Sequence, residues 1–353
     1  MTDAGDIALL RVVAQRLAGA QLSTAAEAVR WLTAVQAQDL SGALCSVALR
    51  VEARSRGLVV GAMNTGQIVR SWPMRGTLHL VAAEDLEWML TLLTPRVVTG
   101  SVGRRTGLGL SQAQLERARE TAVSALSGGE QLSRSELFHV WDEAGLSTQG
   151  QRGAHMLSFL AMTGTLVFGP MREREQLLVL AEEWIPSPRR LERDEALGEL
   201  ALRYFRSHGP ATVADLVRWA QLLVTDARTG VAVAGDDLVT MEVDGIDYLL
   251  DPRLPDRLAK VRADAERVLL LPGFDEFVLG YKDRSAQLDP AYADRIVPGG
   301  NGMFRPTVVS GGRVLGTWAR RNRGREQSVA ATPFSTFPAE VAAALPGVFQ
   351  ALP

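Results

Sequence analysis

Two alternating apolar–polar runs, 238–243 and 246–250, flank the pair Asp244-Gly245. Asp-Gly at that place favours a tight turn with positive φ at both central residues, whose twist matches paired strands, so 238–250 reads as a β-hairpin. Helical patterns precede it. A helix over 194–207 ends at Gly209-Pro210, Thr212 caps the next with Asp215 at the capping-box position, and a further helical stretch covers 222–228. The same order occurs earlier in the chain. Ser133 caps a helix with Glu136 three residues on, and that helix runs to Ala144 and stops at Gly145. A second helix covers 151–162 and stops at Gly164, and strands at 165–169 and 176–180 follow. Helix, tight turn, helix and a two-stranded wing make a winged helix-turn-helix. The pattern therefore occurs at least twice, as repeated architecture without a sequence repeat.

The first hundred residues have matching content. Apolar residues at helical spacing give a helix over 7–17, and Ser23-Thr24 with Glu27 is a third capping box. An apolar segment covers 43–51, Asn64-Thr65 opens another short helix, and 71–76 breaks the chain. Residues 77–81 alternate and favour a strand, 85–93 return to helix, and Pro95 soon stops it. The C-terminal end differs. A buried-strand run at 268–271 ends at Pro272-Gly273, a turn covers 299–302, and strands at 304–309 and 313–318 meet across Gly311-Gly312. We expect an α+β chain with a winged-helix module at 1–105, two more at 106–190 and 191–264, and a β-rich domain at 265–353.

Composition bounds the function. At 353 residues the chain is too long for one small core, and 46% hydrophobic with 22% charged residues is ordinary for a soluble protein. No apolar run is long enough to span a bilayer, and the acidic Met1-Thr2-Asp3 start does not resemble a signal peptide, so a cytoplasmic, monomeric protein is expected. The single cysteine, Cys45, excludes an internal disulfide and reads as a buried small hydrophobe. His79, His139, His155 and His208 show no metal-ligand spacing, so neither metal nor cofactor is expected. Net charge is -2, which does not advertise nucleic-acid binding. The basic residues are nevertheless two lysines, Lys260 and Lys282, and 36 arginines. They cluster at Arg104-Arg105 and at Arg313, Arg320, Arg321, Arg323 and Arg325, and a local stripe of guanidinium forks suits phosphate. A GC-rich genome accounts for the same bias.

The stretch 31–39 is the chemical candidate. Trp31, Leu32 and Val35 have the spacing of a buried helical face, and Gln36, Gln38 and Asp39 follow directly. On a helix, positions i and i+2 lie about 200° apart, so both glutamines could not address one ligand. On a strand or a helix-end turn they could. The residues by themselves leave open whether the glutamines are solvated helix positions or converge on a ligand.

Several segments together resemble the bacterial winged-helix DNA glycosylases related to AlkZ and YcaQ. They are 35–39, Arg75-Gly76-Thr77-Leu78-His79, Leu271-Pro272-Gly273-Phe274-Asp275-Glu276-Phe277, Tyr281-Lys282-Asp283-Arg284, 301–306 and Gly316-Thr317-Trp318. They occur in order and cover nearly the whole chain. The resemblance implies three tandem winged helices around a C-shaped DNA-binding cleft. It also implies removal of N7-alkylated purines, including bulky adducts and interstrand crosslinks, from double-stranded DNA. The family's motif is glutamine, any residue, then glutamine or aspartate. Gln36-Ala37-Gln38 matches the two-glutamine form, associated with self-resistance to a genotoxic natural product. Asp39 follows the motif without occupying its third position.

The residue chemistry is compatible. A glutamine amide gives and accepts hydrogen bonds but is a poor base. An N7-alkylated base is cationic and leaves without protonation, so a positioned water and stabilisation of an oxocarbenium-like sugar suffice. Asp39 would add electrostatic stabilisation or accept a proton. A motif without lysine argues against a Schiff-base lyase step, leaving a monofunctional hydrolase. Candidate DNA contacts are Arg75, Lys282, Arg284, Asn301, Arg305 and Arg313, with a hairpin over 301–318 as a groove probe; Phe304 and Trp318 fit a core equally well. Asp275 and Glu276 read as orienting their neighbours, and His79 as a satisfied structural histidine. The alternative is a non-catalytic winged-helix regulator, which the near-neutral charge favours.

Overall fold

A computed structural model describes residues 4–323 and 326–353; Met1, Thr2, Asp3 and Arg325, named above, lie outside them. The chain is mixed α and β and divides into two compact units. One joins the segment ending at Leu58 to Leu197–Pro353, and the other is Val59–Ala196.

The N-terminal segment is helical. It contains α1 (Ala4–Ala14), α2 (Ala25–Leu32), a two-residue strand β1 (Val35–Gln36), α3 (Leu40–Ala48) and the first turn of α4 (Arg56–Asn64), whose remainder opens the other unit. The expected capping box forms: the Thr24 side chain accepts from the Glu27 N–H, and the Glu27 carboxylate accepts from the Thr24 N–H. Asn64 ends a helix where the sequence suggested that it opened one.

Then follow β2 (Ile68–Met74), β3 (Thr77–Ala82), α5 (Leu86–Leu93), α6 (Pro95–Gly100), α7 (Val102–Gly107), α8 (Gln112–Leu126), α9 (Arg134–Glu143), α10 (Arg152–Met162), β4 (Leu166–Arg172), β5 (Glu175–Leu180) and α11 (Ala181–Trp184). The expected break at 71–76 is instead strand up to Met74, with the turn confined to Arg75-Gly76. Pro73 sits where the β2–β3 register shifts, between Ser71 and Met74, so its missing N–H interrupts the ladder without ending it. Pro95 likewise starts α6 at its first turn, where a missing N–H costs nothing. The strands stand side by side as β3-β2-β4-β5. Their core gathers Leu115, Ala118, Leu137, Trp141, Leu157, Leu160, Leu166 and Leu178. Ser133 and Glu136 make the expected capping box, and the Ser133 N–H with Arg172 pushes the Glu136 carboxyl down to about 2.

The returning chain supplies α12 (Arg193–His208), α13 (Val213–Ala220), α14 (Val224–Ala234), β6 (Val239–Val243), β7 (Ile246–Leu250), α15 (Leu254–Ala265), β8 (Leu269–Leu271), α16 (Glu276–Leu279), α17 (Ala293–Ile296), β9 (Thr307–Ser310), β10 (Arg313–Arg323), β11 (Glu326–Pro333) and α18 (Ala339–Gln350). β6 and β7 pair antiparallel around Asp244-Gly245, with φ 52° and 75°, as the dipeptide demands. α14 begins later and runs farther than the expected 222–228. The C-terminal sheet has the order β11-β10-β9-β8, and α15, α18 and β11 are elements the sequence reading did not separate.

Buried polar groups tie the two parts of this first unit together. Arg50 and Asp275 form a two-pronged ion pair, Nη1–Oδ2 2.9 Å and Nη2–Oδ1 2.9 Å, with both side chains out of water. Ser46 Oγ donates to Asp275 Oδ2 at 2.7 Å and the Phe277 N–H to Oδ1 at 3.0 Å. Arg50 also donates to the Gln15 carbonyl and to Gln15 Oε1, at 2.9 and 2.8 Å. Burial alone would raise the Asp275 carboxyl, but the charge and hydrogen bonds of Arg50, with those of Ser46 and Phe277, outweigh it and hold the group below the usual range.

Removing one member strands the other in the interior, at a cost of about 3–5 kcal/mol. Asp275→Asn and Arg50→Met should each lower the urea unfolding free energy by that amount, and a double apolar replacement should cost much less than their sum. Because the Asp275 carboxyl is depressed in the folded state, its contribution is present above the ordinary aspartate pKa and fades as pH falls through the folded value. Unfolding curves from pH 6 down to pH 3 should therefore show a loss for the parent protein that Asp275→Asn lacks.

Candidate active site

A three-residue γ-turn stops α2. Thr33 has φ 69° and ψ -50°, and the Ala34 N–H donates to the Leu32 carbonyl at 2.8 Å. This turn is rare and strained, more so for a β-branched residue, and Thr33 is held in it by complete burial. Its effect is to turn the chain from helix into the extended pair Val35–Gln36 within two residues. Asp39 is again extended, at φ -94° and ψ 99°, before α3 begins at Leu40. Residues 34–39 thus lie outside any helix, and the helical separation of Gln36 from Gln38 does not apply. The irregular helix end that two cooperating glutamines require is present. Gln36 is 8% exposed and Ala37 buried, whereas Gln38 and Asp39 are open to solvent.

Asp39 occupies the N-cap of α3, but its side chain makes no capping bond. It lies over Gly42 instead: a Cβ on Gly42 would come 2.8 Å from Asp39 Oδ2 and 3.3 Å from the Gly273 carbonyl. Glycine at 42 therefore makes room both for this carboxylate and for the Pro272-Gly273 loop. Gly273 in turn admits the Phe304 carbonyl, 2.6 Å from where its Cβ would sit. Beyond Phe274, whose φ is 61°, come Asp275 and Glu276, both buried. Glu276 Oε1 accepts from the Gln36 N–H at 3.4 Å and Oε2 from Trp219 Nε1 at 2.9 Å. The motif strand and the Phe-Asp-Glu-Phe segment, some 240 residues apart, are therefore in direct contact.

The expected DNA contacts scatter around the first unit. Lys282 is exposed, and its N–H donates to Asp215 Oδ1 at 2.8 Å. Arg284 is half-buried, its Nε donating to the Val278 carbonyl at 2.6 Å and its guanidinium 5.1 Å from the Phe304 ring. Burial and then the charge of Arg218 lower the Arg284 pKa from its usual value. Asn301 is exposed, with Oδ1 accepting from the Met303 N–H, and the exposed Arg305 precedes β9. Arg313 opens β10 and donates to the Ala286 carbonyl at 3.2 Å.

The hairpin expected over 301–318 forms from Thr307 onward: β9 and β10 pair antiparallel across Gly311-Gly312, Ser310 opposite Arg313 and Thr307 opposite Thr317. Residues before Thr307 are irregular, and Gly311-Gly312 packs on α1, since a Cβ on Gly312 would lie 2.9 Å from Ala8. Trp318 is core: it donates to the Leu271 carbonyl at 2.8 Å and meets Phe349 edge-on. Arg320 and Arg321, also exposed, stand on the next ribbon, β10–β11, whose ladder is paired as far as Arg323 and Glu326.

In the second unit, Arg75 stands at the β2–β3 turn, with φ 58°, and its Nη2 lies 2.8 Å from His79 Nε2. Arginine only donates, so Nε2 accepts and the His79 proton sits on Nδ1, which donates to the Thr77 carbonyl at 2.8 Å. Burial, and then the Arg75 charge, hold His79 well below its ordinary pKa. This histidine is structural and satisfied, as the sequence suggested, and its neutral ring braces Arg75. Cys45 is buried, and burial raises its thiol. Thr33, Trp219 and His208 escaped the sequence reading: the first carries no turn signal, and the other two lie far from their partners along the chain.

A family model described as DNA glycosylase AlkZ-like matches residues 29–352. The chain is 29% identical over 327 residues to an interstrand DNA cross-link repair glycosylase of Streptomyces sahachiroi, covering 88% of this chain and 85% of that protein. The solved structure of the Streptomyces sahachiroi DNA glycosylase AlkZ superposes with a TM-score of 0.79 at 26% identity, over 96% of this chain and 94% of that one. With its Gln36-Ala37-Gln38 motif set outside any helix and a family match over nearly its whole length, the chain belongs to the AlkZ-like family of DNA glycosylases.

Proposed function

We propose that the protein hydrolyses the N-glycosidic bond of N7-alkylated purines in double-stranded DNA, including crosslinked purines, in repair or self-resistance to a genotoxic agent. The observation that carries this reading is the γ-turn at Thr33, which delivers Gln36 and Gln38 on non-helical backbone beside an uncapped Asp39. The leaving group is already cationic, so the site has to place a water and stabilise a positive sugar, which amide oxygens and a carboxylate do. Gln36, the buried member, orients; Gln38 and Asp39, the open members, meet water and sugar. No lysine stands in the motif, so water takes the anomeric carbon and no Schiff base forms. The Streptomyces sahachiroi relative is a cross-link repair glycosylase, which supports a bulky substrate.

The DNA-binding reading rests on local architecture. The α9–α10 pair with the β4–β5 hairpin, and the α13–α14 pair with β6–β7, have winged-helix element order. We read them, with the helices and strands before residue 105, as three DNA-binding modules. The β10–β11 ribbon, with Arg320 and Arg321, is our candidate for entering a groove.

Purified protein should release 7-methylguanine from methylated DNA. Gln36→Ala and Gln38→Ala should each cut the single-turnover rate by about a hundredfold or more while the melting temperature stays within a few degrees. Protein that shifts alkylated and crosslinked DNA in a gel yet yields no abasic sites would sink the reading. A second expectation concerns the ribbon. Replacing Arg320 and Arg321 with glutamine should flatten the plot of log affinity against log salt by about 0.9 for each phosphate that the ribbon no longer neutralises. An unaltered slope would remove the ribbon from the DNA interface.

A further inference from the structure

Behind the motif strand lies a carboxyl group that glycosidic chemistry has no direct use for. Glu276 is fully buried, and each of its oxygens has its own donor. Oε1 faces the Gln36 N–H at 3.4 Å, and Oε2 takes the Trp219 indole N–H at 2.9 Å. The group has no room to retreat. His208 Nε2 lies 3.4 Å from Oε2 without hydrogen-bond geometry, and its ring packs 5.3 Å from Trp219 and 4.7 Å from Tyr204. Gly280 closes the other side, since a Cβ there would fall 2.5 Å from His208 Cδ2. On the far side of α16's first residue, Asp275 is fixed by Arg50. A buried acid clamped on three sides, with one oxygen left for a single backbone N–H of the motif, is a rigid reference point for that strand.

We propose that Glu276 is a positioning residue for Gln36, holding the motif strand through the Gln36 backbone so that the neighbouring amides meet the sugar in one geometry. The inference rests on the catalytic role proposed for Gln36. Trp219 is the second half of the device, because it fixes which oxygen remains for the strand. A glutamine at 276 has one oxygen and one NH2, so it can satisfy only one of two N–H donors and must oppose the other.

That asymmetry gives the test, in single-turnover release of 7-methylguanine with protein in excess. Glu276→Gln should lower the saturating rate about tenfold or more and leave the half-saturating protein concentration within about twofold, the split expected when transition-state geometry alone is disturbed. Trp219→Phe removes the competing donor, so the double variant E276Q/W219F should run faster than E276Q and within about threefold of W219F. Glu276→Asp keeps the carboxyl group, withdraws its oxygens by one methylene, and should lower the rate as well. An E276Q or E276D protein that folds and turns over at the parent rate overturns the proposal, as does a double variant no faster than E276Q. If E276Q does not fold, E276D decides the matter by the same criterion. Should the parent protein release no base at all, the glycosidic reading fails. The positioning claim is then read from hydrogen exchange of the Gln36 amide: E276D should exchange faster than the parent, and equal protection refutes it.

Discussion

The buried pair of Arg50 and Asp275 sets the geometry of everything near the motif. Two opposite charges taken out of water lose hydration worth several kcal/mol each, and their attraction repays this only when every remaining polar atom finds a partner. Here Asp275 accepts from Arg50, Ser46 and the Phe277 N–H, while Arg50 also reaches both oxygens of Gln15. Such an arrangement tolerates little displacement, because moving any member leaves a buried charge unsatisfied. It therefore fixes the end of α3 against the segment at the start of α16. Glu276 follows Asp275 directly, and Gln36 precedes α3 by a few residues. Their contact inherits its precision from the ion pair.

The site divides its polar groups by exposure. Carboxyl groups inside the fold, Asp275 and Glu276, are consumed by hydrogen bonds to fixed donors and serve as scaffold. The one beside the motif in the open, Asp39, avoids the capping bond its position offers and lies over Gly42. Amides suit the place between them. They neither titrate nor carry a desolvation cost as large as a charge does, so Gln36 can be nearly buried without a counter-ion. The cationic leaving group proposed above requires no strong general acid, a demand that an amide motif meets.

Much of the architecture was legible because it is written in local rules. Thr24 with Glu27, Ser133 with Glu136 and Thr212 with Asp215 signalled helix starts, and each forms its capping box. Asp244-Gly245 forced a turn that only a hairpin accommodates. Local rules failed where longer-range packing overrode them. Trp72-Pro73 looks like a chain break, yet a register shift absorbs the proline and β2 continues. Residues 301–318, with Arg305 and Arg313, looked like a hairpin free to probe a groove. The hairpin forms as β9 and β10, but its turn is pinned on α1 at Gly312, and Trp318 is drawn into the core by Leu271 and Phe349.

At the motif the division is sharp. The sequence alone determined which residue types stand there, and that two glutamines at i and i+2 could cooperate only if the helix ended before them. Periodicity, capping chemistry and side-chain functionality are properties of neighbours along the chain, so they can be read from it. Only the tertiary structure decided that Thr33 is forced into a strained γ-turn, that Gln36 is buried while Gln38 is open, and that Glu276, Trp219 and His208 stand behind the strand. Those outcomes depend on burial and on partners as far as 240 residues apart. Desolvation leaves a buried acid few acceptable positions, and the fold selects among them through contacts that no local pattern encodes.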